Sequence, residues 1–131
     1  MATDLVKTND GAIDVSLPAA ADLSSNQYYF VKENGSNQFA ICGANDKPAG
    51  VLQNKPASGE LATVRIQGVS KLIINEAVSF GKYLTPTSSG KAEVCDATGE
   101  DYGAMALGTW SAQNDLADVL VIHGEVEASD A

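Results

Sequence analysis

The chain has 131 residues, with 8 basic and 17 acidic side chains and a formal charge of −9. A length of this order makes one domain and leaves no room for a second independent core. The acidic balance, with no basic stripe interleaved with aromatics, excludes nucleic-acid binding as a primary role and disfavours attachment to anionic lipid.

Residues 1–26 are polar and acidic, with a net charge of −3, and are interrupted by Gly11 and Pro18. Asp14-Val15-Ser16-Leu17 reads as a short extended piece, and a helix over residues 19–23 would be too short to stand alone. We therefore expect an extended N-terminal arm over 1–26, ordered only against the body or a neighbour. Val15 and Leu17 are its candidate partner-contact residues. The opening Met1-Ala2-Thr3-Asp4 lacks the basic and apolar regions of a secretory signal.

A β domain is expected over 27–131. Tyr28-Tyr29-Phe30-Val31 is aromatic and β-branched, Asn34-Gly35 is a hairpin signal, and Phe39-Ala40-Ile41-Cys42 returns. After a turn over 45–48 come Gly50-Val51-Leu52 and a second turn over 57–59. Residues 61–67 alternate, with Ala62, Val64 and Ile66 on one face and Thr63, Arg65 and Gln67 on the other. Gly68 is read as a break, after which 69–74 continue the sheet. Short strands follow over 82–85, 92–95, 104–107 and 119–123, and the loop over 86–90 lies between the first two of these. Residues 111–116 allow a single helical turn with Ser111 as cap. The fold class is mainly β, a small β-barrel or β-sandwich-like domain of short strands.

Two stretches 53 residues apart both read C-x-A-x5-G: Cys42 to Gly50 and Cys95 to Gly103. Each precedes a matching strand, Leu61-Ala62-Thr63-Val64 in one and Leu116-Ala117-Asp118-Val119 in the other. Two related strand-turn units, 38–68 and 92–124, are expected. The first keeps Thr63, Arg65 and Gln67 outward, whereas the second places Leu120 and Ile122 at outward positions. A strand apolar on both faces needs cover from the arm, a loop or another subunit. Leu120 and Ile122 thus join Val15 and Leu17 as candidate contacts. Residues 38–91 hold six cations against three acids, and 92–131 hold nine acids with no Lys or Arg. That asymmetry fits either an ordinary solvated surface or a head-to-tail contact of unlike patches.

Catalytic and metal signatures are weak. Cys42 and Cys95 have no CxxC neighbour and read as equivalent core positions, with a disulfide between them left open. His123 is the only histidine and reads as a strand-end surface residue. There is no G-x-S-x-G elbow. Ser88-Ser89-Gly90-Lys91 lacks the leading glycine and following hydroxyl of a phosphate loop. Asp96, Glu100 and Asp101 lack EF-hand spacing. Glu125 and Glu127 share a strand face with no aromatic groove to suggest a sugar substrate. Asn34-Gly35-Ser36 is a glycosylation sequon that does nothing without secretion. No enzyme, cofactor or metal site is expected.

Residues 48–124 nevertheless carry a succession of short elements: Gly50-Val51-Leu52, Ala57-Ser58-Gly59-Glu60, Val64 and Gly68-Val69. Glu76-Ala77-Val78, Gly81, Lys82-Tyr83-Leu84 and Ser89-Gly90-Lys91 follow, then Ala106-Leu107-Gly108 and Asp118-Val119-Leu120-Val121. In order and spacing this resembles the small head decoration, or capsid cement, proteins of tailed bacteriophages. The resemblance implies a non-enzymatic structural protein on the outer surface of an icosahedral head, made in the host cytoplasm. It implies binding to the major capsid protein, self-association as a dimer or trimer, and no nucleic-acid or membrane partner. It also implies an arm that contacts the shell, so that removing residues 1–20 would weaken attachment and leave a folded domain. The alternatives are a carbohydrate- or cell-surface-binding β module and, behind it, a small hydrolase.

Overall fold

The computed structural model describes residues 11–126. Nine strands form: β1 (Ile13–Pro18), β2 (Phe30–Glu33), β3 (Phe39–Ile41), β4 (Gly50–Leu52) and β5 (Leu61–Ile73), then β6 (Tyr83–Pro86), β7 (Ala92–Val94), β8 (Asp101–Ala106) and β9 (Leu116–Glu125). Among the described residues there is no helix, and the one-turn possibility over 111–116 is a turn and bend. The mainly β, barrel-like class is the class observed.

The sheet runs β3-β2-β4-β5-β9-β8-β6-β7, with β1 also on β5, and every named pair is antiparallel. Its hinge is β5. Residues 61–67 of β5 pair with β1, Arg65 and Val64 pair with β4, and residues 68–73 pair with β9. Gly68, expected to break the strand, instead lets it continue. Its φ is +107°, and a Cβ there would lie 2.9 Å from the Ala12 Cα, so only glycine fits both the backbone and the neighbour.

Two lobes result, each with the same pairing scheme. In the first, β3-β2-β4-β5-β1 curls until Ala19, just after β1, bridges Phe39 of β3. In the second, β7-β6-β8-β9-β5 curls until Ile74, just after β5, bridges Ala92 of β7. Both bridges are parallel and carry a matching hydrogen bond, Ala20 N–H to Phe39 O at 2.8 Å and Asn75 N–H to Ala92 O at 2.7 Å. Joining edge to edge in this way satisfies backbone groups that would otherwise be open.

The correspondence extends to turns. Cys42 N–H donates to Phe30 O, and Cys95 N–H to Tyr83 O. Glu60 Oε1 accepts from Ala57 N–H at 2.7 Å, and Asp115 Oδ2 accepts from Ala112 N–H at 3.1 Å. Left-handed Gly59 (φ 84°) is matched by Asn114 (φ 72°), and Asn37 (φ 59°) by Gly90 (φ 84°). The repeated signature of the sequence is part of this duplication.

Two apolar clusters fill the lobes. Ala19, Leu23, Val31, Phe39, Leu52, Ala62 and Val64 fill the first. The second is built from Leu72, Ile74, Leu84, Ala104, Val119 and Val121 among others, and it also takes Phe30, Cys42 and Val51 from the first lobe. Phe30 is therefore a tie between lobes. A Cβ at Gly103 would stand 2.9 Å from its ring and 2.5 Å from Pro48, so the glycine permits the close approach.

The region read as an arm divides differently. Residues 1–10 lie outside the described residues. From Ile13 the chain is a strand of the sheet, Leu17 pairs with Ala62, and Ala19 and Leu23 are buried. The expectation that removing 1–20 leaves a folded domain is corrected on this ground: the cut would strip β5 of a partner and open the first core. A chain lacking residues 1–20 is expected to lose the cooperative thermal unfolding of the full-length chain, and equal melts for the two would contradict this.

Candidate interaction surface

The outward face of the second lobe is set by strand register. Tyr83 pairs with Met105, Met105 with Leu120, and Leu120 with Val69, so one row crosses β6, β8, β9 and β5. All four side chains are half-buried. Inward neighbours on the same strands (Leu84, Ala104, Val119 and Ser70) are buried, as the two-residue period requires. Ile122 lies further along β9, two residues on from Leu120, also half-buried. At one end the Tyr83 and Tyr102 rings stack, with centroids 4.1 Å apart and planes at 14°. Beside the row, Lys71 pairs with Asp118 across β5 and β9.

Leu120 and Ile122 therefore stand where the alternation puts them, on the outer face. Leu17 does not: it packs against the first-lobe cluster. Val15 is opposite Val64 on β5 and stays 38% exposed. The four expected contact residues are thus split between the lobes. Tyr83 and Met105 were missed because short β6 and β8 show few outward residues, and Val69 because Gly68 was read as ending the alternation before it. Met105 between inward Ala104 and Ala106 was the available signal.

The positions considered for chemistry take structural roles. Both cysteines are free and buried, so no disulfide joins them. Burial, with Asp46 beside Cys42 and with Glu100, Asp96 and Asp101 around Cys95, pushes both thiols up to about 12. Neither is a nucleophile at neutral pH. In the acidic loop, Glu100 Oε1 accepts Asp96 N–H at 3.1 Å and Ala97 N–H at 2.9 Å. Its first-lobe counterpart, Asp46, accepts Gly43 N–H and Lys32 Nζ, each at 2.7 Å, and these hydrogen bonds hold its carboxyl below the usual range. Among the described residues no group of three or more His, Cys, Asp or Glu side chains could hold a metal.

His123 is exposed, its Nε2 2.9 Å from Ala49 O, fastening β9 to the loop before β4. The 87–90 turn packs on the first lobe, where a Cβ at Gly90 would stand 2.6 Å from Ile41 Cγ2. Trp110 lines a shallow groove of about 330 Å³ with Val78, Lys82 and Val94, and it is partly buried against the second core.

No protein-family model and no curated protein matches this sequence. A search of solved structures does find a likeness. The crystal structure of the head fiber gp8.5 N base in bacteriophage phi29 superposes with a TM-score of 0.67 at 15% identity, covering 88% of this chain and 98% of that one. At that identity the likeness establishes a shared fold.

Glu93 on β7 provides a pH test of the acidic end. Burial, then the charges of Glu76, Glu100 and Asp96, raise its pKa above 4.5. A raised carboxyl pKa means the folded state binds the proton more tightly. Its contribution is fully present below the unfolded value and is lost as pH rises through the folded one. Glu93→Gln is therefore expected to raise the melting temperature at pH 7, with the gain disappearing in melts below about pH 4. An unchanged or lower melting temperature at pH 7 would contradict it.

Proposed function

We propose that this protein is a non-enzymatic structural component of a tailed-phage head, mounted on the outer surface of the capsid through contacts with the major capsid protein. The observation that carries the reading is the fold likeness, which spans nearly the whole of a head fiber base and most of this chain. The resemblance of residues 48–124 to head decoration proteins supports it independently. So does the chemistry of the candidate residues: buried thiols, a lone histidine used in a backbone contact, and an acidic loop that caps itself.

In this role the chain acts as cement or as a base, gaining strength from many copies on one shell. A single specific contact buries about 1,600 Å², and icosahedral symmetry repeats it. The net charge of −9 keeps free subunits soluble and away from the packaged genome. Neither nucleic acid nor membrane is a partner in this account.

Co-sedimentation of the purified protein with undecorated heads is the test. Saturable pelleting at a fixed ratio to the major capsid protein, with heads then surviving higher temperature, is expected. Pelleting no greater than that of an unrelated acidic protein would sink the proposal.

A further inference from the structure

The two lobes share a skeleton but not a coat, and the difference has a direction. Asp14 and Arg65 in the first lobe occupy the places of Val69 and Leu120 in the second, both 55 residues on, and Phe30 and Val51 occupy those of Tyr83 and Met105. The outer row Phe30-Val51-Arg65-Asp14 thus corresponds to Tyr83-Met105-Leu120-Val69. In the first lobe the Phe30 and Val51 end is wholly buried against the second lobe. In the second lobe the same end is half-exposed.

The receiving side shows the complementary difference. Where the first lobe meets the second, Gln53 Nε2 donates to Ser70 Oγ at 2.8 Å, and Ser70 is 5% exposed. The counterpart of Gln53 is Leu107. Each follows its lobe's β4 or β8 strand and donates its N–H to the equivalent carbonyl, Gln53 to Thr63 O at 2.8 Å and Leu107 to Asp118 O at 2.9 Å. The counterpart of Ser70 is Val15, for Ser70 faces Val119 as Val15 faces Val64. Leu107 is half-exposed and Val15 is 38% exposed.

We propose that a second copy of this chain docks head to tail. The Tyr83-Met105-Leu120 row and Leu107 of one copy cover the Val15 end of the first lobe of the next, repeating between chains the arrangement that joins the lobes within one. The polar pair Gln53–Ser70 inside the chain is replaced between chains by the apolar pair Leu107–Val15. That exchange suits a contact whose driving force is water exclusion. Charge permits it despite the net −9. Beside the row Lys71 is paired with Asp118, and beside Val15 Arg65 holds Asp14 through two bonds of 2.8 and 3.0 Å. The contact is heterologous, so successive copies close into a ring or extend as a filament. It goes beyond the capsid reading and needs no capsid to form.

Light scattering during gel filtration, without capsids, tests it. The wild-type chain is expected to give concentration-dependent species larger than a monomer. Val15→Asp and Leu107→Asp, each at an exposed or half-exposed site, are expected to weaken association at least ~10-fold. Each variant keeps one intact face, so their equimolar mixture is expected to form a one-to-one dimer. A disulfide trap avoids any question of folding: Val15→Cys mixed with Leu107→Cys crosslinks on mild oxidation, whereas either alone does not, the native cysteines being buried. A wild-type monomer at every concentration overturns the proposal. So does loss of association in Leu107→Asp with Val15→Asp unaffected, the mark of a row-to-row contact, or a failure of the mixed cysteine variants to crosslink.

Discussion

Strand β5 has to satisfy two sets of backbone partners along one uninterrupted run, and the rest of the molecule is arranged around that demand. Its first half completes one curled sheet and its second half begins the other. The change of partner falls at Gly68, where a positive φ and the close approach of Ala12 admit no side chain. Because the strand is shared, neither lobe has a complete set of pairs without it. Phe30 adds a second tie by leaving its own lobe for the core of the other.

Duplication on a shared strand separates what must be kept from what is free to change. The backbone bonds that close each lobe recur almost bond for bond, down to a carboxylate capping the equivalent turn in each. The side chains on the outer rows have diverged. Arg65, locked to Asp14 and to Val69 O, stands where the second lobe has Leu120. The first lobe buries the apolar end of its row, Phe30 and Val51, against its sister, and the second leaves the equivalent end half-exposed. For a protein proposed to work by repeated contacts on a shell, this is the useful asymmetry.

Much of the skeleton was legible in the sequence. The period-two alternation of 61–67 fixed the inward set Ala62 and Val64, and comparison with 116–121 singled out Leu120. The C-x-A-x5-G echo marked equivalent turns. It goes out of register at its last residue, since β8 carries an irregularity between Tyr102 and Ala104 that β4 lacks. The equivalence of β1 with the second half of β5 was hidden. Asp14-Val15-Ser16-Leu17 and Val69-Ser70-Lys71-Leu72 share only the inward leucine, so no motif survives. The same loss made β1 look like an arm laid against the body or a neighbour, where it is an integral strand of the sheet, and made Gly68 look like a strand end. The row was obscured for another reason: Tyr83, Met105 and Val69 become neighbours only through strand pairing, which no single strand displays.

Two equivalent lobes form one cooperative body through β5 and the shared core. Residue-resolved amide hydrogen exchange across a denaturant series tests it most directly. Protected amides of β2 and β4 in the first lobe and of β8 and β9 in the second are expected to converge on one global opening, with one common dependence on denaturant. A first lobe that opens at lower denaturant while β8 and β9 remain protected would contradict it.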